Sequence, residues 1–459
     1  MAADDATAPL GTGWPHLKNP RDVWRIVCMS CALIRRLGAG HVGCDMNAKD
    51  AMLAELKARN PGRSLGQRFY TDPDFHRLDL ETIFYRDWLF AGHDCEIPAP
   101  GDYFTMQIGD YPIIILRGHD GLVRALHNSC RHRGSRICAA PRGTAKRLVC
   151  PYHQWTYDLA GGLIRTRHMD AAIDKTQFGL KPAHCESVNG YIFVCVAPVA
   201  PSFEPFRAQA TRYLSPHKIA DAKIAFESTI VENGNWKLVW ENNRECYHCA
   251  GNHPELCRTF PEKPTISGVD GVVTDQEIKA HWDLWEAAGL PSVFLLSHSG
   301  QFRTSRVPLL DEAVSYTMSG RAAVARALSD TITAPRIGSL LLFHYPSTWN
   351  HVLGDHAVSF QVLPIGPMQT EVRTKWLVHK EAIEGKDYTI EELTHVWLAT
   401  NRQDQRVVEE NQIGIRSPAY EPGPYAPDQE DGVRQFVDWY CRTMQHGLGG
   451  AQASISRVA

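Results

Sequence analysis

The 459-residue chain has no apolar run long enough to cross a bilayer. Its longest, residues 26–34, is nine residues between Arg25 and the Arg35-Arg36 pair, against roughly 20 for a spanning helix. No charge of one sign dominates: 48 Lys and Arg against 51 Asp and Glu leave a net charge of -3, which argues against a general nucleic-acid binder or a polybasic membrane binder. There is no internal repeat and no low-complexity tract, which excludes solenoids and long linkers. The 13 cysteines have neither the even number nor the regular spacing of a disulfide framework, so reduced thiols in a cytoplasmic protein are expected. A secretory leader is not expected either, because Asp4 and Asp5 precede the apolar run and no small-residue cleavage site follows it. What remains is ordinary globular composition, 44% hydrophobic and 22% charged, in a chain long enough for roughly two to four folding units.

Composition shifts near Met46. Residues 1–45 are rich in Gly, Cys and Arg without periodicity and are expected to be a poorly ordered extension, with Met46 or Met52 as alternative starts. Its Cys28-x-x-Cys31 pair has no second pair at zinc-knuckle spacing and is read as structural. Residues 46–87 begin with a short helical pattern (Met52, Leu53, Leu56) and are expected to be a helical segment packing on the larger, C-terminal domain. From 88 to 199 the signals are short strands and turns: runs at 103–108, 111–117 and 122–127 are separated by Gly109-Asp110 and by 118–121, and the pattern continues at 148–150, 154–159 and 191–196. This predicts a small all-β domain. Residues 200–459 mix types, with alternation at Ile224, Phe226 and Ile230, a helix from Asn235, strands at 339–345, 357–363 and 371–379, a helix over 389–412, and a final amphipathic helix carrying Val433, Phe436 and Tyr440. The second domain is therefore read as α+β with a largely antiparallel sheet.

Two constellations carry chemistry. Cys130-x-His132 and Cys150-x-x-His153 are separated by 17 residues, each pair on a loop between strands of the β-domain. Two thiolates and two imidazoles could make a tetrahedral zinc site, but zinc fingers usually pair Cys with Cys and His with His. Here each close pair mixes the two, which suits a two-iron, two-sulfide cluster with both Cys on one iron and both His on the other. Replacing two thiolates by neutral imidazoles raises the reduction potential, the Rieske arrangement.

The second lies in the segment 235–254. Glu241, Glu245 and His248 recur at i, i+4, i+7 on one helical face. His253 would point about 140 degrees away on a continuous helix, but Gly251, Asn252 and the bias imposed by Pro254 let the chain fold back so that both imidazoles could meet one ion. Two His and one carboxylate leave open positions on a non-haem iron. Asp404 is a candidate third ligand, on the stripe Trp397, Asn401, Asp404, Val408; a surface ion pair with Arg402 or Arg406 is equally compatible with the pattern.

The motifs CRHRGSRIC (130–138) and CPYHQWTYDLAG (150–161) resemble the cluster loops of Rieske non-haem iron oxygenase α subunits, the ring-hydroxylating dioxygenase family. Quinone-oxidoreductase Rieske proteins carry an extra Cys in each loop; here Tyr152 stands in that place and Cys138 has no partner in the second loop. NRQDQ (401–405) is similar to the family motif that supplies the carboxylate ligand. The resemblance implies an all-β Rieske domain with a helix-grip, START-like catalytic domain, a mononuclear Fe(II) held by His248, His253 and Asp404, and electrons from NAD(P)H through a separate flavin or ferredoxin reductase. It implies that Glu245 bridges His248 and His153 of a neighbouring subunit in a homotrimer, although Glu245 could instead be a direct ligand. Glu at this position, with the runs at 69–93, 235–256 and 420–440, is similar to members acting on quaternary amines. The implied reaction is hydroxylation of an N-methyl group, of glycine betaine first, with proline betaine, carnitine or an aromatic ring as alternatives. Phe260, Phe343, Tyr345, Trp349 and Trp397 are available for a cation-π cage, none assigned. Two other classes compete: a Rieske electron-transfer protein, which leaves the second His pair unexplained, and a zinc hydrolase built on Glu245, His248 and His253, whose order differs from H-E-x-x-H.

Overall fold

The computed structural model describes residues 47–453 apart from 171, 263–274, 333 and 335, with side chains to 449. The expected extension at 1–45, with its Cys28/Cys31 pair, lies outside the described residues. From residue 48 onward the described chain forms one compact unit.

Helices α1 (Ala48–Ala58) and α2 (Pro73–Asp79) come first; Asp72 caps α2 by accepting the Asp74 N–H at 2.8 Å. Strands β1 (Leu89–His93), β2 (Asp102–Ile108), β3 (Tyr111–Arg117), β4 (Val123–His127), β5 (Arg142–Thr144), β6 (Leu148–Val149), β7 (Thr156–Tyr157), β8 (Leu163–Arg165), β9 (Pro182–Val188) and β10 (Tyr191–Cys195) follow. They make a seven-stranded sheet in the order β1-β10-β9-β4-β3-β2-β5 and a separate three-stranded sheet β6-β7-β8. Gly109, with φ +52, turns the tight β2/β3 hairpin, where a Cβ would lie 2.0 Å from the Tyr85 hydroxyl.

After helix α3 (Glu204–Leu214), a second seven-stranded sheet forms from β11 (Ala222–Glu232), β12 (Leu295–Leu296), β13 (Phe302–Val307), β14 (Ser339–His344), β15 (Thr348–Val352), β16 (His356–Gly366) and β17 (Gln369–His379). Its order is β11-β17-β16-β15-β14-β13-β12, with every pairing antiparallel. The α+β reading holds. The sequence reading missed β13 and β15 because both are polar-rich yet buried along their whole length, so FRTSRV and TWNHV show neither a clean alternation nor the apolar run that marks the equally buried β14, SLLLFH.

Helices α4 (Trp236–Asn243), α5 (Cys249–Asn252), α6 (Gln276–Ala287), α7 (Ile390–Ile415) and α8 (Asp431–Ala453) complete the unit. Two of them position the site. In α4, Asn235 caps the first turn by accepting the Lys237 N–H at 3.0 Å, and Trp236, Val239 and Trp240 bury one face. In α7, Thr389 caps by accepting the Glu392 N–H at 3.2 Å, with Glu391 and Glu392 in the first turn. The buried stripe of α7 includes Leu393, Trp397, Asn401, Val408 and Gln412. Gln412 accepts the Asn235 N–H at 2.8 Å, and Gly234 allows the close approach: a Cβ there would lie 2.5 Å from Val408 Cγ1.

A buried ion pair fastens α2 to α4. Lys237 Nζ lies 2.5 Å from Asp79 Oδ2, both side chains fully buried; Asp79 also accepts from Trp236 Nε1 at 3.0 Å and from the Tyr440 hydroxyl of α8 at 2.7 Å. A second pair, Lys375 with Glu96 at 2.5 Å, ties β17 to the short helical turn after β1, and Gln361 of β16 joins the two large sheets directly by donating to the Phe90 carbonyl of β1 at 2.7 Å. Among the described residues no helix is long and apolar enough to cross a membrane.

Candidate functional site

Both Cys/His pairs sit on loops held in matching turns. The Cys130 N–H donates to the Ser135 carbonyl at 2.9 Å and the Cys150 N–H to the Trp155 carbonyl at 2.8 Å. Between β4 and β5 the first loop presents Cys130 and His132; between β6 and β7 the second presents Cys150 and His153. The four residues meet: both thiols are buried, and the two imidazole rings lie 4.7 Å apart. Trp155 stacks on His132 at 4.9 Å, and the Tyr157 hydroxyl lies 3.3 Å from Cys130 Sγ while accepting the Arg131 N–H at 3.1 Å. Burial pushes the Cys130 thiol pKa up against the pull of Tyr157, and the Cys150 thiol facing it adds to the rise. His132 Nδ1 is buried with no hydrogen-bond partner. A buried imidazole nitrogen without a partner beside two thiols fits a metal cluster and costs free energy otherwise.

The second constellation converges more tightly. His248 Nε2 and His253 Nε2 are 3.0 Å apart, and Asp404 Oδ1 is 3.0 Å from His253 Nε2 and 3.4 Å from His248 Nε2. Ligand atoms about 2.1 Å from a common ion subtend about 90 degrees at a separation of about 3.0 Å, so these three atoms suit one triangular face of an octahedral metal. The opposite nitrogens are occupied. Glu245 Oε1 accepts from His248 Nδ1 at 2.5 Å, and Gln403 Oε1 accepts from His253 Nδ1 at 2.9 Å while its amide donates to Glu255 at 2.7 Å. Each partner fixes the tautomer that leaves Nε2 free to ligate. Burial would lower the His248 pKa, but Asp404 and Glu245 outweigh it and raise it to about 10. Burial would raise the Asp404 pKa, yet the two imidazoles hold it below the usual carboxylate range. A metal here would displace the proton these groups share.

Two expectations need correction. The continuous helix expected from Asn235 to the Gly251-Asn252 break stops at Asn243, so Glu241, Glu245 and His248 do not share a helical face. Arg244 leaves the helix to donate to the Tyr345 hydroxyl at 2.6 Å and to Gln435 at 2.9 Å, and the Glu245 carboxylate then accepts the freed N–H groups of Tyr247 and His248. Cys246 and Cys249, expected to be reduced, are joined as a disulfide, because the turn after Arg244 brings their Cα atoms to 5.0 Å. Cys249 Sγ also lies within 4.8 Å of the two imidazole nitrogens, but its bond to Cys246 leaves Asp404 as the available third donor.

Above the triad lies a cavity of about 110 Å3, space for a small solute. Phe260, Phe343, Trp397, His351, Arg303 and Thr400 are among its walls. Of the five aromatics considered, Tyr345 and Trp349 pack instead against Trp240, at 4.7 and 5.1 Å. Gln403, Arg303 and His351 escaped the sequence reading. Gln403 was legible as Asp404's neighbour in NRQDQ; Arg303 and His351 lie on the uniformly buried strands β13 and β15 and gave no signal.

Residues 87–182 match the Rieske [2Fe-2S] domain, and residues 219–446 match the ring hydroxylating alpha subunit (catalytic domain). The chain belongs to the Rieske ring-hydroxylating oxygenase α-subunit family and is an oxygenase, whose two domains imply a Rieske cluster and a mononuclear iron. Within that family it is 45% identical over 415 residues to the glycine betaine monooxygenase oxygenase subunit of Pseudomonas aeruginosa (strain UCBPP-PA14), covering 90% of this chain and 96% of that one. The Chromohalobacter salexigens glycine betaine monooxygenase oxygenase subunit is 46% identical over 414 residues, 90% of this chain and 92% of its own. In fold it is similar to the quaternary ammonium Rieske monooxygenase CntA with L-carnitine (TM-score 0.63, 22% identity, 84% of this chain and 97% of that one). Naphthalene 1,2-dioxygenase from Rhodococcus sp. shares it too (TM-score 0.65, 19% identity, 87% and 98%).

Proposed function

We propose that this oxygenase hydroxylates an N-methyl group of glycine betaine, giving dimethylglycine and formaldehyde. The single observation that carries the reading is the 45% identity, over nearly the full length of both chains, to glycine betaine monooxygenase oxygenase subunits. Cys130, His132, Cys150 and His153 would hold the Rieske cluster, and His248, His253 and Asp404 the mononuclear iron. When bound, these groups accept electrons from an NAD(P)H-dependent reductase and activate O2. The chain's own residues do the rest. Glu245 and Gln403 hold the two imidazoles in the ligating tautomer, the buried walls of the cavity exclude water from the reacting methyl group, and Trp397 and Phe260 offer aromatic faces to a trimethylammonium. The reaction balances as one O2, two electrons and two protons converting the methyl to an N-hydroxymethyl group and water; the N–C bond then breaks to release formaldehyde, the tertiary amine and a proton.

Glu245 acts behind His248, on the nitrogen facing away from Asp404, which supports a bridging role over direct ligation and disfavours the zinc-hydrolase arrangement. Among the described residues no hydrogen bond or ion pair joins the two clusters within one chain. Tyr152, beside His153, and Tyr247, beside Glu245, are 57% and 62% exposed. Two exposed aromatics flanking the two ends of an electron path support an interface in which a neighbour's His153 approaches Glu245; the number of subunits, three, follows from the family resemblance, and the cytoplasmic location from the composition of the chain. The test is formaldehyde and dimethylglycine release from glycine betaine by the purified protein with a reductase, beside proline betaine, carnitine and an aromatic acid. Equal formaldehyde and dimethylglycine from glycine betaine is the expected result; hydroxylation of the aromatic acid alone would overturn the reading.

A further inference from the structure

Arg303 of β13 is 5% exposed and lines the cavity above the iron-site residues, yet among the described residues its guanidinium makes no hydrogen bond or ion pair; Nε and one terminal nitrogen are buried without any partner. A guanidinium stays charged at any ordinary pH, so a buried one without an anion costs several kcal/mol, and proteins keep such a group where a ligand supplies the charge. The surroundings make the need sharper. Arg244, 3% exposed, lines the same cavity, and its donors go to the neutral oxygens of Tyr345 and Gln435. The two guanidiniums share one aromatic ring, Phe343, at 4.8 Å for Arg244 and 4.5 Å for Arg303. The acids on the cavity wall, Glu245 and Asp404, are both engaged with His248, and Asp404 with His253 as well. Among the described residues nothing of opposite sign is left on the cavity wall for Arg303.

We propose that Arg303 binds the carboxylate of the substrate, so that the cavity selects a small zwitterion, an N-methylated amino acid, over the corresponding alcohol or amide. This deepens the N-methyl oxidation reading and rests on it for the identity of the other end of the molecule. Because the two guanidiniums already occupy the Phe343 ring, the ammonium end is directed to Trp397 and Phe260. Trp397 is on the same helix as Asp404, two turns earlier, so binding the carboxylate at Arg303 and the ammonium at Trp397 orients the methyl groups within the cavity that Asp404 also lines. The carboxylate fork also fits the planar guanidinium in a way a lysine ammonium cannot reproduce.

The experiment measures equilibrium binding by calorimetry, and kcat/KM with a reductase, for glycine betaine, its amide (a cation that lacks only the carboxylate charge) and choline, using the wild-type holoenzyme, Arg303→Gln and Arg303→Lys. Wild type should prefer glycine betaine over the amide by about 100-fold, the size of one charge-assisted bidentate contact at about 1.4 kcal/mol per tenfold. Arg303→Gln should abolish that preference, mainly by raising Kd and KM for glycine betaine while the amide changes little; Arg303→Lys should recover part of it. Cluster absorbance and the melting temperature report folding, and if Arg303→Gln does not fold, the Arg303→Lys preference decides. An unchanged preference in a folded variant overturns the assignment while leaving the substrate reading intact. If wild type neither binds nor oxidises glycine betaine but binds acetate or benzoate in an Arg303-dependent way, the substrate reading fails and the carboxylate site stands. Binding of no carboxylate by wild type refutes the carboxylate site, and with it the choice of glycine betaine.

Discussion

Gly234→Ala tests how the iron-site residues are brought together. Gly234 precedes α4, which leads to His248 and His253, and it faces Val408 of α7, the helix that carries Asp404 one turn earlier. A Cβ at position 234 would sit 2.5 Å from Val408 Cγ1, more than 1 Å inside the usual carbon contact of about 3.8 Å. Val408 is 2% exposed and stiff at χ1, so it cannot swing aside and the two elements must separate. Overpacking of this kind costs about 1–3 kcal/mol. The same displacement widens the gap between Asp404 and the imidazoles, which are 3.0 and 3.4 Å from it. The variant should therefore lose stability in urea denaturation and bind the mononuclear iron more weakly, with the cluster colour retained. The double variant Gly234→Ala/Val408→Ala should be more stable than the sum of the two single changes by about 1–2 kcal/mol, because the new methyl group fills part of the void. A Gly234→Ala protein with unchanged denaturation midpoint and iron content, or strictly additive effects in the double variant, would refute the close-approach argument.

Removing the Asp79 carboxylate should be more damaging. Asp79→Ala leaves the fully buried Lys237 ammonium unpaired and strips the acceptor from Trp236 and Tyr440, so unfolding in urea should show a loss of about 3–5 kcal/mol; a loss under 1 kcal/mol would contradict the account. Acid should also destabilise the protein. Burial depresses His93, His344 and His351 to about 3, with Lys375 adding to the shift at His93 and His356 at His351. Below about 6.5 the unfolded chain takes up protons that these three folded imidazoles refuse, so stability present above pH 6.5 is lost as pH falls toward 3. Each group contributes about 1.4 kcal/mol per pH unit, about 4 together, and the urea midpoint should drop steeply between pH 6 and 5. A midpoint flat over that range would show that these histidines ionise in place.

The legible parts of the fold were those whose pattern is local. Strands 103–108 and 111–117 announced themselves as β-rich runs separated by the Gly109-Asp110 turn, and α7 through its partly apolar stripe at Trp397, Asn401, Asp404 and Val408. Strands such as β13 and β15 were hidden because they bury polar side chains along their whole length, leaving neither a period-2 signal nor an apolar run, and with them went Arg303 and His351. The convergence of His248, His253 and Asp404 was anticipated, but for a partly mistaken reason: the chain turns at Arg244 rather than remaining helical to Gly251. That turn depends on tertiary partners of Arg244, Tyr345 and Gln435, distant in sequence, and no local pattern could report them. The Cys246–Cys249 disulfide follows from the same turn. The Glu245 and Gln403 contacts complete the picture, since only the folded arrangement reveals which imidazole nitrogen each one holds.

Iron and acid-labile sulfide analysis of wild type beside Asp404→Ala tests the central claim, that one chain carries a Rieske cluster and a separate iron held by His248, His253 and Asp404. The account predicts about three irons and two sulfides per chain in wild type, and about two irons and two sulfides in the variant, with the visible absorbance retained and product formation abolished. Zinc in place of iron, or an Asp404→Ala protein that keeps its third iron and its turnover, would contradict it.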